Sequence, residues 1–258
     1  NSSQYCESLC QQLTVFIQNQ GFHENQVLGV GIGIQGLISN DGTTILYGKI
    51  LDCTGMKTTN FSRYLPFPVT FYHDADCVAE AEHALNPSDG IYLSIGEHLG
   101  TSIIINGQIL KSPNGRNGTM EHITLDSVNG RTCYCGRKGC IETYCSLSSL
   151  LQPNETLASF FAVLQHQDSQ IVARFEQYLN YLAESIYNLH MFVDIPIVIA
   201  GQLTKYMNDD IMMNLKTRLN NFSVFPEDEA YLHLGTVFDN AVAIGAAIPD
   251  IQAKIESI

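Results

Sequence analysis

Three cysteines and a histidine crowd one stretch of this chain: His122, Cys133, Cys135 and Cys140. The thiolate is the metal-binding form of cysteine, and three thiolates with one imidazole make a donor set suited to tetrahedral zinc. Gly136 and Gly139 free the backbone to turn tightly, so that three sulfurs can meet at one ion. Thiolates held that close repel one another unless a cation lies among them. The spacing therefore predicts a structural zinc site on the three cysteines, with His122 reading equally as the fourth ligand or as an ordinary surface or core histidine. The other cysteines, Cys6, Cys10, Cys53, Cys77 and Cys145, are scattered and read as small buried hydrophobes.

The elements that must position this cluster follow from apolar periodicity. Leu9, Leu13, Phe16 and Ile17 recur at helical spacing within residues 7–19, and Gly21 marks the stop. Val27, Leu28, Val30, Ile32 and Ile34 form a nearly continuous apolar strand, the kind covered on both faces. SNDG at 39–42 turns into a second strand, TTILYGKIL, to make a hairpin. A strand through PVTFY ends at His73-Asp74, and a helix is expected over Asp74–Leu85. Residues 90–110 read as strands, with Asn106-Gly107 as a hairpin turn. Residues 112–145 lack periodicity and are rich in Gly, Asn and Cys, which marks them as the functional region. Helical pattern fills 146–193. A buried strand at 195–201, a helix at 207–221, a short strand at 230–234 and a final helix beginning at 240–247 complete the chain. Strands alternate with helices, so the fold class is α/β.

Composition bounds the function. The chain has 258 residues, with 13 Lys+Arg against 26 Asp+Glu and a formal net charge of −13. Its isoelectric point is about 4.8. A surface this acidic has no basic stripe for a phosphate backbone, so nucleic-acid binding by this portion is excluded. No run of about 18 apolar residues exists to make a membrane-spanning helix. The first residues, NSSQYCESLCQQL, lack the basic start and apolar core of a signal peptide, so the expected compartment is the cytoplasm and disulfides are not expected.

The block CYCGRKGCIETYCS, preceded by EHITLD, resembles the zinc signature of the ROK family (repressors, open reading frames and sugar kinases), whose pattern is Gly-His followed by C-x-C-G-x-x-G-C-x-E. GVGIGIQGLIS resembles the family's strand-and-glycine segment at the sugar pocket. PVTFYHDADCVAEAEHAL resembles its strand, Asn/His-Asp and helix segment. IVIAGQL resembles its late strand ending in glycines near the nucleotide site. These segments run in family order over roughly residues 27–245.

The resemblance implies a two-lobed actin-like ATPase (ribonuclease H-like) fold with an inserted zinc-binding loop. The smaller lobe is expected at 1–85 plus 244–258, and the larger at 86–243 with the zinc loop at 118–145. A sugar site is expected in the cleft. The resemblance maps the zinc ligands to His122, Cys133, Cys135 and Cys140, and sugar contacts to Gly36, His73, Asp74, His122 and Glu142. By residue type alone, Asp74 reads equally as a helix N-cap and Glu142 as a solvated helix-start carboxylate. One ring nitrogen of His122 on zinc leaves the other to face a sugar hydroxyl.

Three departures from the family pattern matter. Thr119 stands where the family has a Glu, and Glu121 stands where it has a Gly. The D-x-G-x-T turn that binds ATP phosphates in the family's kinases is not found in these residues. His73 before Asp74 is similar to repressor members, where the kinases carry Asn. The expected function is the sugar-sensing and dimerisation domain of a ROK transcriptional regulator, non-catalytic, binding a small sugar or sugar phosphate with a structural zinc. A homodimer or tetramer is expected, with DNA bound only through an N-terminal domain absent from this chain and with no membrane contact. The alternatives are an ATP-dependent sugar kinase with Asp74 as base, or a degenerate domain answering to a protein partner.

Overall fold

The computed structural model describes residues 2–225 and 231–257. The chain divides into two compact units: Asn1–Ala81, Lys111–Asn117 and Asn240–Ile258 form one, and Glu82–Leu110 with Gly118–Asp239 form the other.

In the first unit, α1 (Ser2–Asn19) starts earlier than its apolar repeat announces. Cys6 and Cys10, one helical turn apart, are buried with Leu9 and Leu13 alongside, against Ile34, Ile45, Phe61 and Phe71. The apolar run expected as one strand is split into β1 (Val30–Ile34) and β2 (Leu37–Ile38). The break lies at Gly36, where an added Cβ would meet the Tyr47 carbonyl oxygen at 2.2 Å. The hairpin forms as expected, β2 pairing antiparallel with β3 (Ile45–Tyr47), although β3 is far shorter than TTILYGKIL. β1 pairs parallel with β4 (Val69–His73), and Ile34 stands opposite His73 at the end of the ladder. α2 spans Asp74–Leu85, the predicted limits.

In the second unit, β5 (Gly90–Ile95), β6 (Leu99–Ile105) and β7 (Gln108–Ile109) form an antiparallel meander. The short helices α3 (Glu142–Cys145) and α4 (Leu147–Leu150) follow, then α5 (Leu157–Gln165) and α6 (Ser169–Phe192). β8 (Ile197–Ala200) joins β5 in parallel, and every one of its residues is buried, as a strand covered on both faces must be. After α7 (Asp209–Phe222) comes β9 (Leu232–Leu234), so the sheet order is β7-β6-β5-β8-β9. The expected strand at 230–234 begins on Ala230, which lies outside the described residues. α8 (Ala241–Glu256) returns to the first unit and packs on β1.

One apolar core runs beneath the second unit's sheet. Ile91, Leu93, Ile141, Phe160, Leu179, Leu182, Ile186 and Ile199 are each 2% exposed or less. Each such side chain contributes about 1.5–3 kcal/mol of burial. Ile141 belongs to this core, so the segment that carries the thiol cluster is anchored in it at one end.

Candidate functional site

His122 ends a 3-10 turn (Met120–His122) that Thr119 opens, with Met120 buried beneath it. The chain then doubles back through two antiparallel bridges, Thr124 with Cys140 and Thr132 with Lys138. The Cys133 N–H donates to the Arg137 carbonyl at 2.8 Å, and the Gly136 N–H to the Cys133 carbonyl at 2.9 Å. Gly136 and Gly139 take φ of 92° and 76°. A Cβ on Gly139 would come within 1.8 Å of the Asp126 carbonyl oxygen, so a larger residue cannot make this turn. The tight return expected from the glycine spacing is what the backbone does.

The result is one cluster. A ring nitrogen of His122 and the sulfurs of Cys133, Cys135 and Cys140 all lie within 4.8 Å of one another. The Cys135 and Cys140 sulfurs are 3.7 Å apart, and His122 Nδ1 is 3.9 Å from the Cys133 sulfur. Zinc–sulfur bonds of about 2.3 Å at tetrahedral angles require sulfur–sulfur edges of about 3.8 Å. Donor type, number and spacing therefore fit zinc, which would supply a fixed tetrahedral centre rather than chemistry on a substrate.

The electrostatics agree. Burial pushes the Cys133 thiol up to about 12 and raises Cys140. Burial also acts upward on Cys135, but the Arg137 backbone N–H and thiol hydrogen bonds from Cys133 and Cys140 outweigh it, and its pKa falls. Burial lowers the pKa of His122, against the pull of Glu142, so its imidazole is neutral and able to coordinate.

Glu142 opens α3 directly after the Ile141 anchor, and it is not a solvated carboxylate. It is 4% exposed. One oxygen lies 2.6 Å from His98 Nδ1, and the other accepts the Leu99 N–H at 2.8 Å. Tyr178 of α6 steadies the far end of α3 by donating to the Cys145 carbonyl at 2.7 Å. His98 was not singled out from the sequence. It sits in the β5–β6 turn, and nothing near it in the chain signals a partner. Tyr134 was missed as well; it lies between two zinc ligands, with its hydroxyl 3.4 Å from His122 Nε2. Glu121 Oε1 is 3.8 Å from the same nitrogen.

The remaining candidates belong to the first unit. His73 closes β4 and Asp74 opens α2 as its first helical residue. His73 Nε2 is 3.5 Å from Asp74 Oδ1, and its Nδ1 is 3.7 Å from Asp76 Oδ1, so one imidazole lies beside two carboxylates. Asp74 Oδ1 also accepts the Ala75 N–H at 3.0 Å. Burial raises the Asp74 pKa and the neighbouring His73 opposes that rise. Gly36 lies in the break between β1 and β2, where its close approach to the Tyr47 carbonyl accounts for the glycine. The structure thus gathers His122, the three thiols and Glu142 in the second unit, and His73 with Asp74 in the first.

The sequence model of the ROK family matches residues 1–250. A glucokinase from Halalkalibacterium halodurans is 25% identical over 175 residues, which is 65% of this chain and 52% of that enzyme. A xylose repressor from Bacillus subtilis is 32% identical over 138 residues, 50% of this chain and 35% of that protein. The matched stretches therefore cover 52% and 35% of these relatives' own lengths. A ROK family glucokinase from Streptomyces griseus, solved in complex with glucose and AMPPNP, superposes with a TM-score of 0.80 at 19% identity, covering 95% of this chain and 88% of that one. That likeness establishes an α/β, actin-like fold, here carrying the His/Cys cluster typical of the family's zinc motif. Among the described residues no helix is long and apolar enough to cross a membrane.

Proposed function

Because the chain belongs to the ROK family, we propose that it is the sugar-sensing part of a transcriptional regulator, with a structural zinc on His122, Cys133, Cys135 and Cys140 shaping the pocket. The sugar contacts proposed are Gly36, His73 and Asp74 of the first unit and His122 and Glu142 of the second. The observation that carries the regulator reading is Thr119, which stands where the family has a Glu, so that a carboxylate is missing from the proposed contacts. A kinase also needs Asp74 as a base that takes a proton from a sugar hydroxyl. Its Oδ1 accepts a backbone N–H and lies beside the His73 imidazole, while burial raises its pKa, so Asp74 itself would serve either reading.

Sugar binding in one state of the molecule and not another would shift its conformational populations, which is how such a sensor signals. With a net charge of −13, these residues leave DNA contact to another part of the regulator. On the same reading we propose a cytoplasmic protein that forms a homodimer or tetramer.

Thermal unfolding with D-glucose, D-xylose and N-acetyl-D-glucosamine tests the proposal, beside a coupled assay for ADP. A ligand at a hundred times its Kd stabilises by about 2.7 kcal/mol. A shift with one sugar and no ADP is the expected result. ADP formation from ATP and any of these sugars would overturn the regulator reading in favour of a kinase, the activity of the glucokinase relative. No shift with a broad sugar panel would favour a domain answering to a protein partner.

A further inference from the structure

Both oxygens of Glu142 are engaged within its own unit, by His98 and by the Leu99 N–H. A different group on the zinc loop has a donor to spend. Tyr134 sits between the ligands Cys133 and Cys135, so a metal would fix its backbone on both sides. Its ring stands edge-on to two imidazoles, those of His98 and His122, at 5.3 Å from each centroid. Its hydroxyl lies 3.4 Å from His122 Nε2.

The tautomer settles the direction of that contact. His122 Nδ1 is the nitrogen that faces the Cys133 sulfur. With the metal on Nδ1, a neutral imidazole carries its hydrogen on Nε2. That N–H donates to the Tyr134 oxygen, which spends a lone pair and keeps its own O–H. A phenol keeps its proton at neutral pH, so the group stays a donor. Tyr134 is only partly buried, which leaves the hydroxyl within reach of a ligand.

We propose that Tyr134 is a ligand-contact residue of the sugar site, its O–H aimed by the metal-bound imidazole and donated to a hydroxyl oxygen of the sugar. The contacts carried over to Glu142 and to the free nitrogen of His122 from the family pattern then fall to Tyr134, while Glu142 positions His98 behind it. This inference rests on the sugar-sensing reading. It adds that zinc controls affinity through one hydrogen-bond chain, from metal to His122 to Tyr134 to ligand.

The test is Tyr134→Phe, which keeps the ring and removes the hydroxyl. Titration calorimetry on zinc-replete protein uses whichever of D-glucose, D-xylose or N-acetyl-D-glucosamine stabilises the wild type. The expected result is affinity weaker by about tenfold, with zinc content and melting temperature unchanged. Unchanged affinity overturns the proposal while leaving the sugar-sensing reading intact. A loss of zinc or of melting temperature, with the zinc-loaded fraction binding as the wild type does, also overturns it and makes Tyr134 a brace for His122. If none of the three sugars binds the wild type, the sugar-sensing reading fails for them and takes this contact with it.

Discussion

Cys140 and Cys145 stand five residues apart in one segment, and neither has any exposed surface. Their surroundings differ completely. The Cys145 sulfur meets the Ser185 hydroxyl at 3.3 Å, and burial pushes its thiol up to about 12. The Cys140 sulfur meets Cys135 at 3.7 Å in a cluster with Cys133 and His122. Burial alone turns a cysteine into a small hydrophobe. Burial beside other thiols and a neutral imidazole, on a backbone turned by glycines, suits it to hold a metal. The chain uses one residue type both ways within a few residues.

Replacing each of the two cysteines tests that contrast most directly and gives the largest effect. Cys140→Ser breaks the donor set. Zinc per chain, read by atomic emission, falls from one to well below it, and the melting temperature drops sharply. Structural zinc contributes about 10–16 kcal/mol of binding in isolated zinc-finger peptides, and part of that is lost here as stability of the second unit. Cys145→Ala keeps the zinc and costs about 1–2 kcal/mol, the ordinary range for a small core deletion. Equal zinc loss in both variants would erase the distinction.

Acid sharpens the same contrast. Coordination requires deprotonated sulfur and neutral imidazole, so protons compete with the metal. The His122 pKa in the folded chain is below its ordinary value because of burial. An unfolded chain then binds that proton more readily than the folded one. The sign follows: stability from this group is fully present above about pH 6.5 and falls as pH drops below it. Zinc release measured from pH 8 to pH 5 should rise toward acid, together with loss of thermal stability. Cys145, protonated throughout that range, takes no part. In Cys140→Ser the zinc-linked part of the acid loss should disappear.

Glu142→Ala comes next in size. It leaves the Leu99 N–H and His98 Nδ1 without their buried acceptor. Orphaned buried donors cost roughly 1–3 kcal/mol each, so roughly 2–6 kcal/mol is expected in denaturant unfolding. Zinc stays bound, because Glu142 supports the hairpin behind the cluster rather than the cluster itself. Asp74→Asn, at a carboxylate that is 25% exposed, should cost less than about 1 kcal/mol. A larger loss there than at Glu142 would reverse the ranking of the two carboxylates.

How much of this was legible depended on sequence distance. The zinc set is local: spacing pointed to the three cysteines, and His122, which spacing left open, came with the family resemblance. The Asp74–Leu85 helix was legible because its formers and its strand boundary are contiguous. The role of Glu142 was not, because its partner His98 is 44 residues away and no short pattern links a hairpin turn to a helix start. Tyr134 was hidden for another reason. Between two cysteines it reads as loop filler, and its role depends on which nitrogen of His122 faces the sulfur. The break after Ile34 was hidden by the uniform apolar run around it. It arises from the close approach of Gly36 to Tyr47, a tertiary contact.

The smallest effect tests whether membership of the loop or of the cluster matters. Val128 lies between His122 and Cys133, within the same excursion, but it is 79% exposed. Its backbone N–H is bound to Asp126 Oδ1 at 3.0 Å, and the next N–H, from Asn129, reaches the same oxygen at 2.8 Å. The turn is therefore held by Asp126 and the backbone, with no contribution from the Val128 side chain. Val128→Thr keeps the β-branched shape and those bonds. It should change stability by less than about 0.5 kcal/mol and leave zinc content alone. Were it to cost zinc or more than about 1 kcal/mol, the loop would owe its order to apolar contacts of its own, and the metal-centred account of why Cys140 differs from Cys145 would need that second cause.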